Sequence, residues 1–175
     1  MVELVKELIT NQYQAALSTM AYCIEHCPEE TWNRPVANWP FYESVFHTLF
    51  YTDYYLELAP DSISSQLFHQ AHPELFGDYE QLRPIDPTIV YTREQLEMYV
   101  DFCLVKAARV MASETEESLS APAQFPRKDF SRAELHIYNI RHIQHHAAQL
   151  VLRLRLDTDV NVPWFRSGRE FPQNR

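Results

Sequence analysis

The segment Asn139-Ile140-Arg141-His142-Ile143-Gln144-His145-His146-Ala147-Ala148-Gln149-Leu150 lies within a stretch, Phe130 to Val162, that holds neither glycine nor proline. A stretch of that length without a breaker predicts one long helix. On a helix, residues four apart differ by about 40° in direction. His142 and His146 therefore share a face, and Gln149 falls beside them. His145 is turned about 60° to the other side and fits that face less well. Two imidazoles at this spacing suit one divalent ion. The helix is not a zincin helix, because Ile143 stands where that motif needs a glutamate base.

Two ligands hold a metal weakly, so a third is expected from another helix. His47 is the candidate. It sits in Tyr42-Glu43-Ser44-Val45-Phe46-His47-Thr48-Leu49-Phe50-Tyr51-Thr52-Asp53-Tyr54-Tyr55-Leu56, which also has a helical pattern. Three histidines from two helices of a bundle leave coordination positions open, as catalytic sites do. The competing reading is a set of hydrogen-bonded core histidines. Glu43, one turn before His47, is either a fourth ligand or an acceptor for an imidazole N–H. A helix-start carboxylate favoured by the macrodipole is the plainer alternative for it.

His142-Ile143-Gln144-His145-His146-Ala147-Ala148-Gln149 resembles the fourth-helix motif His-x-x-His-His-Arg-Gly-Gln of the DinB/YfiT-like family of bacterial four-helix metal proteins, with Ala147-Ala148 in place of Arg-Gly. Phe46-His47-Thr48-Leu49 is similar to the segment around that family's second-helix histidine. The resemblance covers residues 1 to 156. It implies a metal site made by His47, His142 and His146, and a homodimer. Family members include transferases of low-molecular-weight thiols and a thiol-dependent maleylpyruvate isomerase.

The remainder of the chain agrees with a helical domain. It has 175 residues, 46% of them hydrophobic, enough for one domain with a core. Two glycines, Gly77 and Gly168, are too few for a phosphate loop or a dinucleotide fingerprint. A net charge of −9 argues against nucleic acid. No apolar run approaches a membrane span, and the N-terminus lacks a signal peptide's pattern. Cys23, Cys27 and Cys103 form no disulfide framework, so a reducing cytoplasm is expected. Cys23 and Cys27 continue the apolar stripe of the first helix and are expected in the core rather than on a metal.

Taken in order, the sequence predicts an all-α four-helix bundle with a long crossover between helices two and three. Helix one spans about 2–27, ended by Pro28. Helix two starts near Pro40 and ends before Pro60. It is apolar on two faces, and Phe41, Val45, Leu49 and Leu56 form a second stripe that needs a partner. A homodimer contact there is one expectation; cover by the crossover or the tail is the other. Residues 60–91, with Pro60, Pro73, Pro84 and Pro87, form an irregular connection that lets helix three run parallel to helix two. His69 and His72, within it, are expected to face solvent or belong to a lid. Thr92-Arg93-Glu94-Gln95 and Ser131-Arg132-Ala133-Glu134 read as capping boxes opening helices three and four. Leu135, Tyr138, His142, His146, Gln149 and Leu156 are expected to face inward on helix four. Residues 157–175 form a tail packed on the bundle through Pro163-Trp164-Phe165.

The functional expectation is a metal-dependent enzyme using zinc or nickel at His47, His142 and His146. Transfer of a low-molecular-weight thiol to an electrophile is the leading reaction. The alternatives are a metal-binding stress protein without turnover and a metal-dependent hydrolase. Tyr51, Tyr54 and Gln149 are candidate pocket residues, and no side chain in the sequence stands out as an acid, base or nucleophile.

Overall fold

Four proline-free segments become the long helices of the protein in a computed structural model that describes residues 1–37, 39–77 and 89–167. They are α1 (Val2–His26), α3 (Phe41–Leu56), α5 (Arg93–Ser113) and α7 (Arg132–Asp157). Short helices α2 (Glu29–Asn33), α4 (Leu67–Ala71) and α6 (Glu116–Ser120) lie between them, with 3-10 turns at Pro60–Ser65 and Pro73–Leu75. Extended pairing among the described residues is confined to isolated bridges, Val36 with Trp39 and Pro122 with Ser131. The fold is the expected all-α bundle.

Helix starts follow the local chemistry. The Thr92 side chain accepts from the Gln95 N–H, and the Gln95 side chain accepts from the Thr92 N–H at 2.9 Å. At α7 only half of the expected box forms. Ser131 Oγ accepts from the Glu134 N–H at 3.2 Å, and the backbone around it is held by the bridge to Pro122.

Helices α1 and α3 each pack against both α5 and α7. Directions can be read from the ends of each pair. Arg93, opening α5, donates to the carbonyls of Ile24 and Cys27, while Lys6 donates to Ala112 O at the far end of α5, so α1 and α5 are antiparallel. Cys103 meets Leu49 and Lys106 meets Asp53, so α3 and α5 are parallel. This is the arrangement for which the long connection was expected. Pro84 and Pro87 lie outside the described residues.

The connection also covers α3. Phe46 stacks on Tyr91 with centroids 4.0 Å apart, and Phe76 packs on Phe46 and Phe50. Phe41, Val45, Leu49 and Leu56 are buried by the chain itself. The second apolar stripe is therefore core, and the expectation of a dimer through it is corrected. Leu58 has left the helix and is exposed. His69 is a second correction: it is buried and stacks on Phe76 at 3.7 Å instead of facing solvent. In the C-terminal segment, Val162 is buried and Phe165 reaches the Tyr22 ring; residues 168–175 lie outside the described residues.

Four buried charged groups, Asp53, Lys106, Glu114 and Arg132, are engaged in pairs. Lys106 contacts the carboxylates of Asp53 and Glu57, and Asp53 also accepts from Tyr99 Oη at 2.9 Å and Gln66 Nε2 at 2.6 Å. Gln66 belongs to the crossover, so this network ties the crossover to α3 and α5. Arg132 donates to Glu114 Oε1 at 2.9 Å and to the carbonyls of Tyr55, Leu56 and Glu57 at the end of α3. A cation there meets the negative end of the helix dipole and satisfies carbonyls that have no partner within the helix. Glu114 is held down to a pKa of about 2: burial raises it, but hydrogen bonds from His136, Ser118 and Arg132 outweigh that. Removing one partner of a buried pair costs about 3–5 kcal/mol. Arg132→Ala is expected to lower the stability by that order in urea unfolding, and Arg132→Lys, which cannot span three carbonyls, to recover only part of it.

Candidate metal centre

Antiparallel packing sets which residues of α3 and α7 meet. Asn139 Nδ2 donates to Thr52 O at 3.0 Å, three residues before His142 and five after His47. Arg132 grips the C-terminal end of α3, and Arg153 grips the segment before it through the carbonyls of Thr31, Arg34 and Trp39. Between these clamps the register brings His142 and His146 opposite His47. The ring centroids are 5.5 Å apart for His47 and His142, 4.9 Å for His47 and His146, and 4.7 Å for His142 and His146. One nitrogen from each ring lies within 4.8 Å of the other two, and this is the His/Cys/Asp/Glu cluster of metal-holding geometry among the described residues. Nitrogens bound tetrahedrally at about 2.0–2.1 Å stand about 3.3 Å apart, so small side-chain movements close the cluster on an ion.

The histidines sit at the seam between the helices. The buried face of α7 is Leu135, His136, Asn139, Ile143, Ala147, Leu150 and Leu154. This corrects the expected inward stripe: His142 and His146 are half-buried on its α3 side, Tyr138 is also half-buried, and Gln149 and Leu156 are exposed. On α3, His47 and Tyr51 are likewise half-buried while the positions around them are buried. A seam site is open on one side, which a site inside the core would not be.

Each ring has a defined environment. His47 lies between the Trp39 ring at 5.9 Å and the Tyr51 ring at 4.9 Å. Burial, then the neighbouring His146, lowers its pKa to about 4. Burial also dominates at His142, with His146 and His47 adding to it, and the value falls to about 3. His146 is lowered by burial, partly opposed by its hydrogen bond to Gln149. That bond, Nδ1 to Oε1 at 3.2 Å, makes Nδ1 the donor, because an amide oxygen only accepts. Nε2 of His146 then carries the lone pair. Gln149 in turn donates to His145 Nε2 at 3.0 Å. Sequence placed Gln149 beside the pair as an inward residue; its position here is outside, orienting a ring.

The donor set fits a divalent ion. Nδ1 of His142 is buried and has no hydrogen-bond partner among the described residues. A buried polar atom left so costs about 1–3 kcal/mol, and ligation of that ring nitrogen would remove the cost. Three neutral imidazoles suit zinc, nickel, copper and iron alike. Glu43 is fully buried and is not in the cluster. Cys23, Cys27 and Cys103 are free, buried thiols, as expected of core residues, with pKa values of about 12 for Cys23 and Cys27 caused first by burial.

An all-α bundle with a three-histidine seam between two antiparallel helices describes a class of small metal-binding helical proteins. The chain belongs to the DinB superfamily, whose family model matches residues 12–150. No curated protein and no solved structure matches it. Among the described residues no helix is long and apolar enough to cross a membrane.

The depressed values fix a pH dependence. A folded-state pKa below the ordinary 6.5 means that the neutral ring is the one favoured by folding. For the metal-free protein, the stability contributed by His47 and His142 is complete above pH 6.5 and is lost as pH falls through about 4 and about 3. Only neutral imidazole binds metal. All three rings are lowered, so zinc affinity, measured by competition with a chromophoric chelator, is expected to persist below pH 6.5 and to be lost at more acid pH as the rings protonate.

Proposed function

We propose that this chain is a metal-dependent enzyme in which His47, His142 and His146 bind one divalent ion, zinc or nickel, and that it transfers a low-molecular-weight thiol to an electrophile. The observation that carries this reading is the cluster itself: three imidazole nitrogens within 4.8 Å of one another on a half-open seam. Three protein ligands leave at least one position for an exogenous molecule. An ion held there would lower the pKa of a bound thiol or water.

The residues of the chain bind and orient. Gln149 fixes the tautomer of His146. Trp39 and Tyr51 shield His47 from water with their rings. The Tyr51 phenol is raised above its ordinary pKa by burial, so it stays protonated and donates hydrogen bonds rather than removing protons. The protein's own cysteines are core residues far from the thiolate range, so a sulfur nucleophile would have to enter with the cosubstrate. This favours thiol transfer over an enzyme thiol mechanism. The hydrolase alternative draws on the same open position with water in place of thiol.

In this reading residues 1–156 form the bundle domain and 157–175 its tail, in a reducing cytoplasm. The homodimer now rests on the resemblance alone and would use a surface other than the buried α3 stripe. Sedimentation velocity at micromolar concentration is expected to show a dimer, and a monomer would remove it.

The central test is metal content. Wild type dialysed against zinc or nickel is expected to retain one ion per chain. His146→Ala should lose most of it. His145→Ala should retain it, because that side chain leaves the helix at another angle and is hydrogen-bonded to Gln149. Loaded wild type should then consume a bacterial low-molecular-weight thiol and 1-chloro-2,4-dinitrobenzene faster than loaded His146→Ala. Retention by His146→Ala with loss by His145→Ala would overturn the ligand set.

A further inference from the structure

Lys128 lies in the loop between α6 and α7, just after Arg127, whose φ of 61° is in the left-handed region. Such a conformation is unfavourable for a residue with a side chain and marks a point where the fold dictates the path of the chain. The Lys128 ammonium stands 4.4 Å from the centre of the Tyr138 ring and 5.5 Å from that of Tyr55. It is half-buried and makes no ion pair among the described residues, although the chain has 24 acidic residues for 15 lysines and arginines. The other lysine buried near tyrosines, Lys106, is paired with Asp53 and Glu57. Lys128 is therefore a half-buried cation for which the described residues provide no counter-charge.

Its position is beside the metal centre. Tyr138, on which it rests, lines an open pocket of about 450 Å³ together with Arg141, His142, Gln144 and His145. Tyr55 packs on Tyr138 at 5.5 Å, and Tyr51, next along α3, packs on His142 at 5.8 Å. After burial and the neighbouring histidines, the charge of Lys128 is among the causes that depress His142. Arg141 is exposed at the pocket and also makes no ion pair among the described residues. Among the described residues no carboxylate lines this pocket. Arg141 in the lining, Lys128 resting on the Tyr138 ring of the same wall, and His142 shared with the three-histidine seam together favour negative charge.

We propose that Lys128, assisted by Arg141, is the anion-recognition element of the site and that the molecule it admits is a small thiol carrying a carboxylate. The thiol sulfur would face the histidines while the carboxylate accepts from the Lys128 ammonium. The proposal rests on the three-histidine metal reading and adds the substrate class and the residue that selects it.

The test uses the full chain loaded with cobalt(II), whose sulfur-to-metal absorption reports thiol binding. Two probes of similar length are titrated, 3-mercaptopropionate and 2-mercaptoethanol. Wild type is expected to bind the anionic probe about tenfold more tightly, the order of one charge-assisted hydrogen bond. Lys128→Gln should remove most of that preference and leave 2-mercaptoethanol within about twofold, with cobalt uptake unchanged. Lys128→Arg should restore the preference, and Arg141→Gln should reduce it less than Lys128→Gln. A long-range attraction by the metal alone would survive Lys128→Gln, and that result overturns the proposal. Equal affinity of wild type for the two probes, with cobalt bound, overturns it while leaving the metal reading intact. Absence of cobalt uptake by wild type removes the metal reading and this proposal together.

Discussion

Arg132 spreads its guanidinium over the carbonyls of Tyr55, Leu56 and Glu57 while Glu114 holds it from behind. This contact pins the start of α7 to the end of α3. Asn139 repeats the tie at Thr52, and Arg153 closes the other end on the carbonyls before α3. All three are side-chain donors meeting backbone acceptors, so the helices are fixed along their length as well as held together. Hydrophobic packing alone tolerates sliding, because apolar contacts have no direction. A slip of one helical turn, about 5.4 Å, would carry His142 and His146 past His47 and leave no cluster. The site depends on that register more than on any feature of the histidines themselves.

The same helices are anchored on their other sides. Lys106 on α5, Asp53 on α3 and Gln66 from the crossover form one network, so the crossover is held to the bundle by polar contacts as well as by the Phe46, Phe76 and Tyr91 rings. On the α1 side, Tyr13 Oη meets His136 Nδ1 at 3.1 Å, and His136 Nε2 reaches Glu114 at 3.2 Å. Burial of such groups costs free energy unless each has a partner. Here the partners are supplied by different helices, which makes the polar interior a specification of which helix lies where.

The three-histidine cluster differs from these networks in what it lacks. His136 is a fully buried histidine with a partner on each nitrogen, and it is the core histidine that plain packing predicts. His142 has a buried nitrogen without a partner among the described residues, and His47 and His142 are pushed toward the neutral form. A neutral imidazole with an unused lone pair is a ligand in waiting. The contrast between His136 and His142, six residues apart on one helix, separates a histidine satisfied by packing from one that fits a metal.

The helices, their ends and the histidine pair were legible in the sequence because each depends on local rules. Proline placement, the Thr92 to Gln95 box and the spacing of His142 and His146 need no knowledge of distant contacts. The parallel course of α3 and α5 was also legible, since a connection as long as 60–91 exists to permit it. What the sequence left open depends on rotation and cover. The face of α7 that enters the core is Asn139, Ile143 and Ala147, one step around from the stripe that periodicity indicated, because the Asn139 and Arg132 bonds to α3 set the rotation. The second stripe of α3 looked like an interface, since nothing local reveals that Phe41 will meet Trp32 and Arg153, and Leu49 will meet Cys103, from other helices. The placing of Lys128 over Tyr55 likewise comes from a chain segment distant in sequence, and Phe76, on which His69 stacks, packs on Phe46 and Phe50 of α3. Local chemistry determined which residues could form a metal site, and the packing of four helices, with their directional polar clamps, decided that three of them would meet and on which side they would be open.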